Sequence, residues 1–323
     1  MRAIVQDRYG PTEMLRLQDV DVPKIGADEV LVRVHASGVD PGVWHLVTGL
    51  PYLVRLGFGL FRPASRVPGM DLAGVVEAVG SNVERFTPGD EVFGTGRGSY
   101  AEYASAPANR LAPKPRNLTF EQAAAVPISG QTALAAVRDA GQVRPGKRVL
   151  VIGAGGGVGT FAVQLAKALG AHVTGMCSTG KLDLVRSIGA DEVVDYTRTD
   201  ITDRGQRYDV VIDTAGNRRL AQLRLALVPT GVLVLVGGEA GTGKWLWGFD
   251  RQLRALLLSP LVSQRLVPLL SRESTENLVA LTELIEAGAL TPVVGRTYPL
   301  TEVAEALRHL EDGHSTGKTV VTI

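Results

Sequence analysis

The stretch RVLVIGAGGGVGTFAVQLAKALG, residues 148–170, limits the possible folds more than any other part of the chain. A short apolar run, Arg148–Ile152, reads as a buried strand, and Gly157–Leu169 reads as a helix closed by Gly170. The glycine-rich turn between them lets a bulky anion approach bare backbone, and the helix start offers free N–H groups and the positive end of a dipole. The strict GxGxxG spacing falls on Ala154, Gly156 and Gly159, with alanine as a small replacement at the first position. Ala154, Gly156, Gly157, Val158 and Gly159 are the candidate pyrophosphate-binding residues.

The residues beyond this helix support that reading. His172–Cys177 reads as a second strand, Lys181–Ile188 as a helix, and Val193–Tyr196, Tyr208–Asp213 and Val232–Val236 as further strands. Alternating strand and helix predicts an α/β fold with a doubly wound parallel sheet. In such sheets the end of the second strand selects the dinucleotide. An acid there binds a free ribose hydroxyl. Here the run is Cys177-Ser178-Thr179-Gly180-Lys181, with no carboxylate before Asp183. Ser178, Thr179 and Lys181 suit a 2′-phosphate, so NADPH (NADP+ when oxidised) is the expected cofactor. Ser178 and Thr179 also suit a second role as caps of the next helix.

The first third has a different character. Arg2–Asp7, Leu15–Val20, Glu29–Ala36, Leu72–Val79, Glu91–Gly94 and Tyr100–Ser105 are short β-prone runs divided by Gly-Pro, Pro-Gly and Gly-Asp turns. They predict a compact β-rich domain. A helical pattern begins at Thr119, with Gln122 at capping-box spacing. The expected organisation is residues 1–122 as the β-rich domain, 123–270 as the dinucleotide domain, and 271–323 as a segment returning to the first. The arginine-rich apolar run at 245–270 reads as helical. Helices are expected near Thr275–Ala287 and Thr301–Leu310, and a strand over Lys318–Ile323.

Bulk properties exclude several classes. A chain of 323 residues, 45% hydrophobic, buries a real core. Its formal net charge of +1 leaves no electrostatic footprint for nucleic acid. No apolar run reaches membrane-span length. The first residues read as a strand rather than a signal peptide, so a cytoplasmic location is the expectation. The single cysteine, Cys177, rules out an internal disulfide and cysteine-rich zinc sites.

Several motifs together resemble the medium-chain dehydrogenase/reductase superfamily, in its zinc-free quinone oxidoreductase branch. They are DEVLVRVHASGVDPG, VPGMDLAGVVEAVG, PGDEVFG, AAAVPISGQTAL, the glycine-rich unit, GADEVVDY and GKTVVTI. The resemblance spans nearly the whole chain and is strongest to the reticulon-interacting and chloroplast-envelope quinone oxidoreductase-like subset. It implies that the β-rich domain is a GroES-like catalytic domain beside the Rossmann domain. It implies further cofactor contacts at Thr132, Tyr196, Asn217, Gly237, Gly238 and Lys318, with Tyr196 and Lys318 at the adenosine-phosphate end. It also implies a homodimer, with the strand near Val232–Val236 pairing across the two-fold axis.

In zinc-dependent relatives three positions hold the catalytic metal. They match Asp40, Met70 and a residue at or near Ile128. A thioether and an alkyl chain do not make a zinc site, so no metal is expected. Without a Lewis acid, hydride transfer favours acceptors that delocalise the developing charge, such as a quinone or an enone. Tyr52, in the apolar loop Leu50–Phe61, and Asp40 are the candidate catalytic groups. Asp40 qualifies as a proton donor if burial raises its pKa; it also qualifies, and more readily, as the partner of a neighbouring base or of backbone N–H groups. The loop, with Trp44, Trp245 and Trp247, suggests a small hydrophobic substrate. Two alternatives stand beside this reading: a dinucleotide-binding sensor or scaffold with little turnover, and a zinc alcohol dehydrogenase, which the missing metal ligands disfavour.

Overall fold

The computed structural model describes residues 1–201, 205–237, 249–313 and 315–323. In chain order its strands are β1 (Arg2–Val5), β2 (Arg16–Asp19), β3 (Glu29–Val39), β4 (Asp71–Val79), β5 (Glu91–Thr95), β6 (Tyr103–Pro107), β7 (Leu111–Pro113), β8 (Arg148–Ile152), β9 (His172–Cys177), β10 (Glu192–Asp195), β11 (Tyr208–Asp213), β12 (Leu227–Leu235), β13 (Arg265–Pro268), β14 (Val294–Pro299) and β15 (Lys318–Thr322). The helices are α1 (Pro41–Thr48), α2 (Arg55–Phe58), α3 (Phe120–Ala124), α4 (Pro127–Leu134), α5 (Gly157–Ala168), α6 (Leu182–Ser187), α7 (Leu220–Leu225), α8 (Phe249–Leu258), α9 (Thr275–Glu286) and α10 (Val303–Glu311). The chain divides into two compact units. One holds Met1–Gln131, Glu273–Gly288 and Pro292–Ile323; the other holds Thr132–Arg272 and Ala289–Thr291.

The first unit is the β-rich one. Its main sheet runs β14-β15-β3-β4-β5-β7, with β6 also paired to β3. Strand β3 is the spine: it pairs antiparallel with β4, β6 and β15. Val30, Val32 and Val34 alternate inward with Leu72, Val76 and Val92 to make its core. The last strand, β15, therefore completes a sheet begun some 280 residues earlier. Thr119 and Gln122 form the capping box that starts α3.

The second unit is a six-stranded sheet in the order β10-β9-β8-β11-β12-β13, every pair parallel. This is the doubly wound order with its switch between β8 and β11. Val149, Leu150, Val151 and Ile152 are all buried, because helices cover both faces of a parallel sheet. At Gly159, α5 lies so close to the turn that an added Cβ would sit 2.1 Å from the Gly153 carbonyl oxygen.

Three sequence expectations need correction. The 245–270 run is not wholly helical. It contains α8, a 3-10 turn over Ser259–Leu261, and then strand β13. Pro260 ends regular helix at this point, and the four residues of β13, the last of them Pro268, pair with β12 instead. Strand β12 is consequently flanked by β11 and β13 of its own chain, so it has no edge with which to pair across a dimer axis. The β6 strand also starts later than expected, since Tyr100 lies in a turn, fully buried. Trp245 and Trp247 lie outside the described residues. Among the described residues, no helix is long and apolar enough to cross a membrane.

Candidate functional site

The glycine-rich turn fits a dinucleotide. The first bond of α5 runs from Thr160 N–H to the Gly156 carbonyl, and no side chain caps the helix. The N–H groups of Gly157, Val158 and Gly159 are therefore the open end of a three-turn helix. Ala154 has a different role. Its side chain is buried and its N–H donates to the Met176 carbonyl, so it anchors the turn to β9 rather than facing a phosphate. The left-handed residue of the turn is Gly153, at φ +81°.

The end of β9 lies beside this turn. The Lys181 stem crosses Gly155, where an added Cβ would meet Lys181 Cδ at 2.7 Å. Burial lowers the Lys181 pKa, partly opposed by the nearby Cys177. Cys177 itself is pushed up to about 11, chiefly by burial. Ser178 makes no capping bond through its side chain. The exposed Thr179 hydroxyl donates to Asp195 Oδ2 at 2.6 Å. β10 brings Asp195, a carboxylate that the run 177–181 does not contain, to this place by pairing parallel with β9, but its oxygens are already taken by Thr179, Thr197 and Arg198.

Tyr196 follows it, exposed, with the Arg218 guanidinium 6.0 Å from its ring centre. Arg218 follows Asn217 in the turn after β11 and was not singled out by the sequence. A half-buried arginine facing an exposed tyrosine is the signal that needs three dimensions. Asn217 is exposed, Thr132 is half-buried on α4, and Gly237 is buried at the end of β12. Gly238 lies outside the described residues.

Lys318 corrects an expectation. It belongs to β15 of the first unit and is 3% exposed, with its ammonium enclosed by carboxylates instead of facing a cofactor phosphate. Its Nζ is 2.5 Å from Asp40 Oδ1 and 3.6 Å from Asp71 Oδ2, and it also donates to the Val39 carbonyl. Asp40 and Asp71 are 2% and 0% exposed. Ser129 Oγ donates to Asp40, and Ile128 N–H donates to Asp71 Oδ1 at 3.0 Å. Gly38 leaves room for the group, because a Cβ there would lie 2.5 Å from Asp71 Oδ2.

Three titratable groups with one ammonium and two carboxyls cannot all be charged cheaply in a buried place. Burial and the charge of Asp40 push Asp71 well above the usual carboxylate range. Burial also works to raise Asp40, but Lys318 and the hydrogen bonds from Asp71, Lys318 and Ser129 more than offset it and hold it below that range. The carboxyl with the raised pKa is therefore Asp71. Asp40 is the ionised partner of a base, the second of its two readings, and not a proton donor of raised pKa.

Asp40, Met70 and Ile128 do not fit a zinc ion. The carboxylate is already bonded to an ammonium, and the other two side chains are a thioether and an alkyl group. Tyr52 is half-buried. The Arg55 guanidinium lies between its ring and that of Tyr9, at 4.7 and 4.6 Å from the ring centres. Tyr9 OH lies 2.9 Å and 2.6 Å from the carbonyls of Phe58 and Gly59 and shares its one hydrogen between them, which fixes the far end of the loop. Leu53, Leu56, Phe58, Leu60 and Phe61 are exposed, while Trp44 is buried.

A GroES-like β unit and a doubly wound unit with an open glycine turn define the class of the protein, and comparison with known proteins agrees. Residues 26–116 match the alcohol dehydrogenase GroES-like domain, and residues 188–321 match a family described as zinc-binding dehydrogenase. The chain is 33% identical to the mitochondrial NAD(P)H oxidoreductase RTN4IP1 of Mus musculus, over 100% of this chain and 89% of that protein. It is 34% identical to a chloroplastic NADPH-dependent alkenal/one oxidoreductase of Arabidopsis thaliana, over 99% and 79%. A quinone oxidoreductase from Coxiella burnetii superposes with a TM-score of 0.87 at 29% identity, covering 100% and 99% of the two chains. The chain belongs to the medium-chain dehydrogenase/reductase superfamily and is an oxidoreductase.

Proposed function

We propose that the protein is an NADPH-dependent, metal-independent reductase of quinones or α,β-unsaturated carbonyls. The observation that carries this reading is the Asp40–Lys318 pair. At the position where zinc-dependent relatives place a first ligand, the carboxylate is neutralised by an ammonium from the same unit. No Lewis acid is built there to take up charge on a simple carbonyl oxygen. An acceptor that spreads the charge over a conjugated system needs only positioning and a few hydrogen bonds. The names of the similar alkenal/one and quinone oxidoreductases support the same substrate class.

The cofactor assignment rests on the open start of α5, which suits a pyrophosphate, and on Ser178, Lys181 and Tyr196, which suit a 2′-phosphoadenosine. A bound reduced nicotinamide would supply the hydride. The chain's own part is to bind and orient both reactants and to keep the Asp40–Lys318–Asp71 centre charge-balanced. Tyr52, held by Arg55, is the proposed donor of a hydrogen bond to the acceptor.

Purified, chelator-treated protein is the test. NADPH oxidation with a panel of quinones, 2-alkenals and enones should be faster than with NADH and indifferent to added zinc. Activity that disappears with chelator and returns with zinc would sink the proposal. Tight NADPH binding with no turnover on any acceptor would point to a sensor or scaffold.

A homodimer and a cytoplasmic location belong to the same reading. Strand β13 is the last of its sheet, and Leu257, Leu261 and Leu270 near it are exposed. We place the subunit contact there. A Leu261→Glu change should shift the chain to a monomer in light scattering; an unchanged mass would remove this face from the contact. Cell fractionation checks the location.

A further inference from the structure

We propose that Arg251, on α8, is a positioning residue for the dinucleotide, acting through the turns at the C-terminal ends of β11 and β12. The inference rests on the dinucleotide reading above and adds a residue that no sequence motif marks.

Asp213 ends β11 and is 0% exposed. Its Oδ1 accepts the N–H groups of Ala215 and Gly216, both at 3.2 Å, which shapes the turn after the strand. Its Oδ2 accepts from Arg251 Nη1 at 2.7 Å. The same Nη1 donates to the Arg218 carbonyl at 3.0 Å, and Nη2 donates to the Gly237 carbonyl at 2.9 Å. One planar cation, 9% exposed, therefore ties together the end of β11, the far end of its turn and the end of β12. Thr214 extends the tie to β8, donating through its hydroxyl to the Ile152 carbonyl at 2.8 Å.

In an open parallel sheet the ligand crevice lies at these carboxyl ends. The 213–218 turn and Gly237 border it, and Arg218 carries the guanidinium that faces Tyr196. Fixing the Arg218 carbonyl fixes where that side chain starts. Lysine cannot replace Arg251 here, because a single ammonium on a flexible stem does not present a rigid fork to a carboxylate and two carbonyls at once.

The test measures NADPH binding without any acceptor. NADPH fluorescence titration of the full chain gives Kd, alongside thermal melting and turnover at saturating cofactor. Arg251→Lys should weaken NADPH binding at least tenfold, about 1.4 kcal/mol, while kcat at saturation changes less than threefold. Should the lysine variant not fold, the double change Asp213→Asn with Arg251→Gln removes both buried charges together and should show the same loss of binding. Hydrogen exchange of the wild-type chain needs no variant. The amides of 213–218 and 237 should exchange more slowly with NADPH bound.

A folded variant with Kd within twofold of wild type overturns the proposal, even if its melting temperature falls. So does wild-type protein that binds NADPH with no change in exchange at 213–218. Wild-type protein that fails to bind NADPH at all refutes the underlying dinucleotide reading instead, and the proposal with it.

Discussion

Each unit buries a charged centre, and the two are built differently. In the second unit, Asp213 and Arg251 are one carboxylate against one guanidinium. In the first, Lys318 faces two carboxyls, Asp40 and Asp71. The balanced pair is a fixed clamp, with each charge met by the other and by backbone groups. The unbalanced trio must keep a proton, and Asp71 holds it. The odd carboxyl thus makes the first centre respond to pH.

The comparison breaks most sharply at Lys318. Lys318→Met leaves the first centre with no cation and an ionised Asp40 in a buried place. The expected loss of stability is about 3–5 kcal/mol, read by chemical denaturation. A loss under about 1 kcal/mol would mean that water or rearrangement compensates the carboxylates.

The next contrast is between two aspartates. Asp213→Asn strands Arg251 without its counter-charge and should cost about 3 kcal/mol. Asp40→Asn should cost about 1–2 kcal/mol, because Asp71, freed of its charged neighbour, ionises and takes over Lys318. Equal losses in denaturant melts would remove the distinction between clamp and trio.

A finer contrast is pH. The folded pKa of Asp71 lies well above its unfolded value, so folding takes up a proton between the two and stability falls as pH rises through that window. Asp40 has a lowered folded pKa, and its contribution is present above the unfolded value near about 4 and lost as pH falls. Lys318 has a raised folded pKa, because the two carboxylates more than offset the burial that would lower it. Its contribution holds through neutral pH and is lost as pH rises through that folded value. Asp71→Asn mimics the protonated carboxyl and should change stability by less than about 1 kcal/mol near neutrality. It should flatten the decline above the carboxylate range while leaving the acid limb in place. A decline of unchanged slope in denaturation midpoints would assign the proton elsewhere.

The smallest effect belongs to neither centre. Cys177, with a pKa of about 11, should resist alkylation in the folded chain at pH 8 and react on unfolding. Rapid labelling of native protein would mean that the end of β9 opens readily.

Much of the second unit was legible in the sequence. Arg148–Ile152, His172–Cys177 and Tyr208–Asp213 are strands with the bounds that their apolar runs suggest. Strand β13 was not legible: it is four residues long, amid an apolar arginine-rich run whose pattern favours helix. The candidate site divides the same way. The glycine turn lies within one strand-turn-helix unit and shows itself locally. Asp195 beside Thr179 depends on strand pairing. Lys318 beside Asp40 depends on β15 returning to β3, 278 residues away.

The sequence by itself determined the alternation of strands and helices and the glycine-rich start of α5. These come from local periodicity and from side-chain chemistry, which need no neighbours. Only the tertiary structure decided which charge meets which. Asp40 and Lys318 become partners, and Arg251 becomes a clamp, because sheet register brings distant residues into places too dry to leave a charge alone.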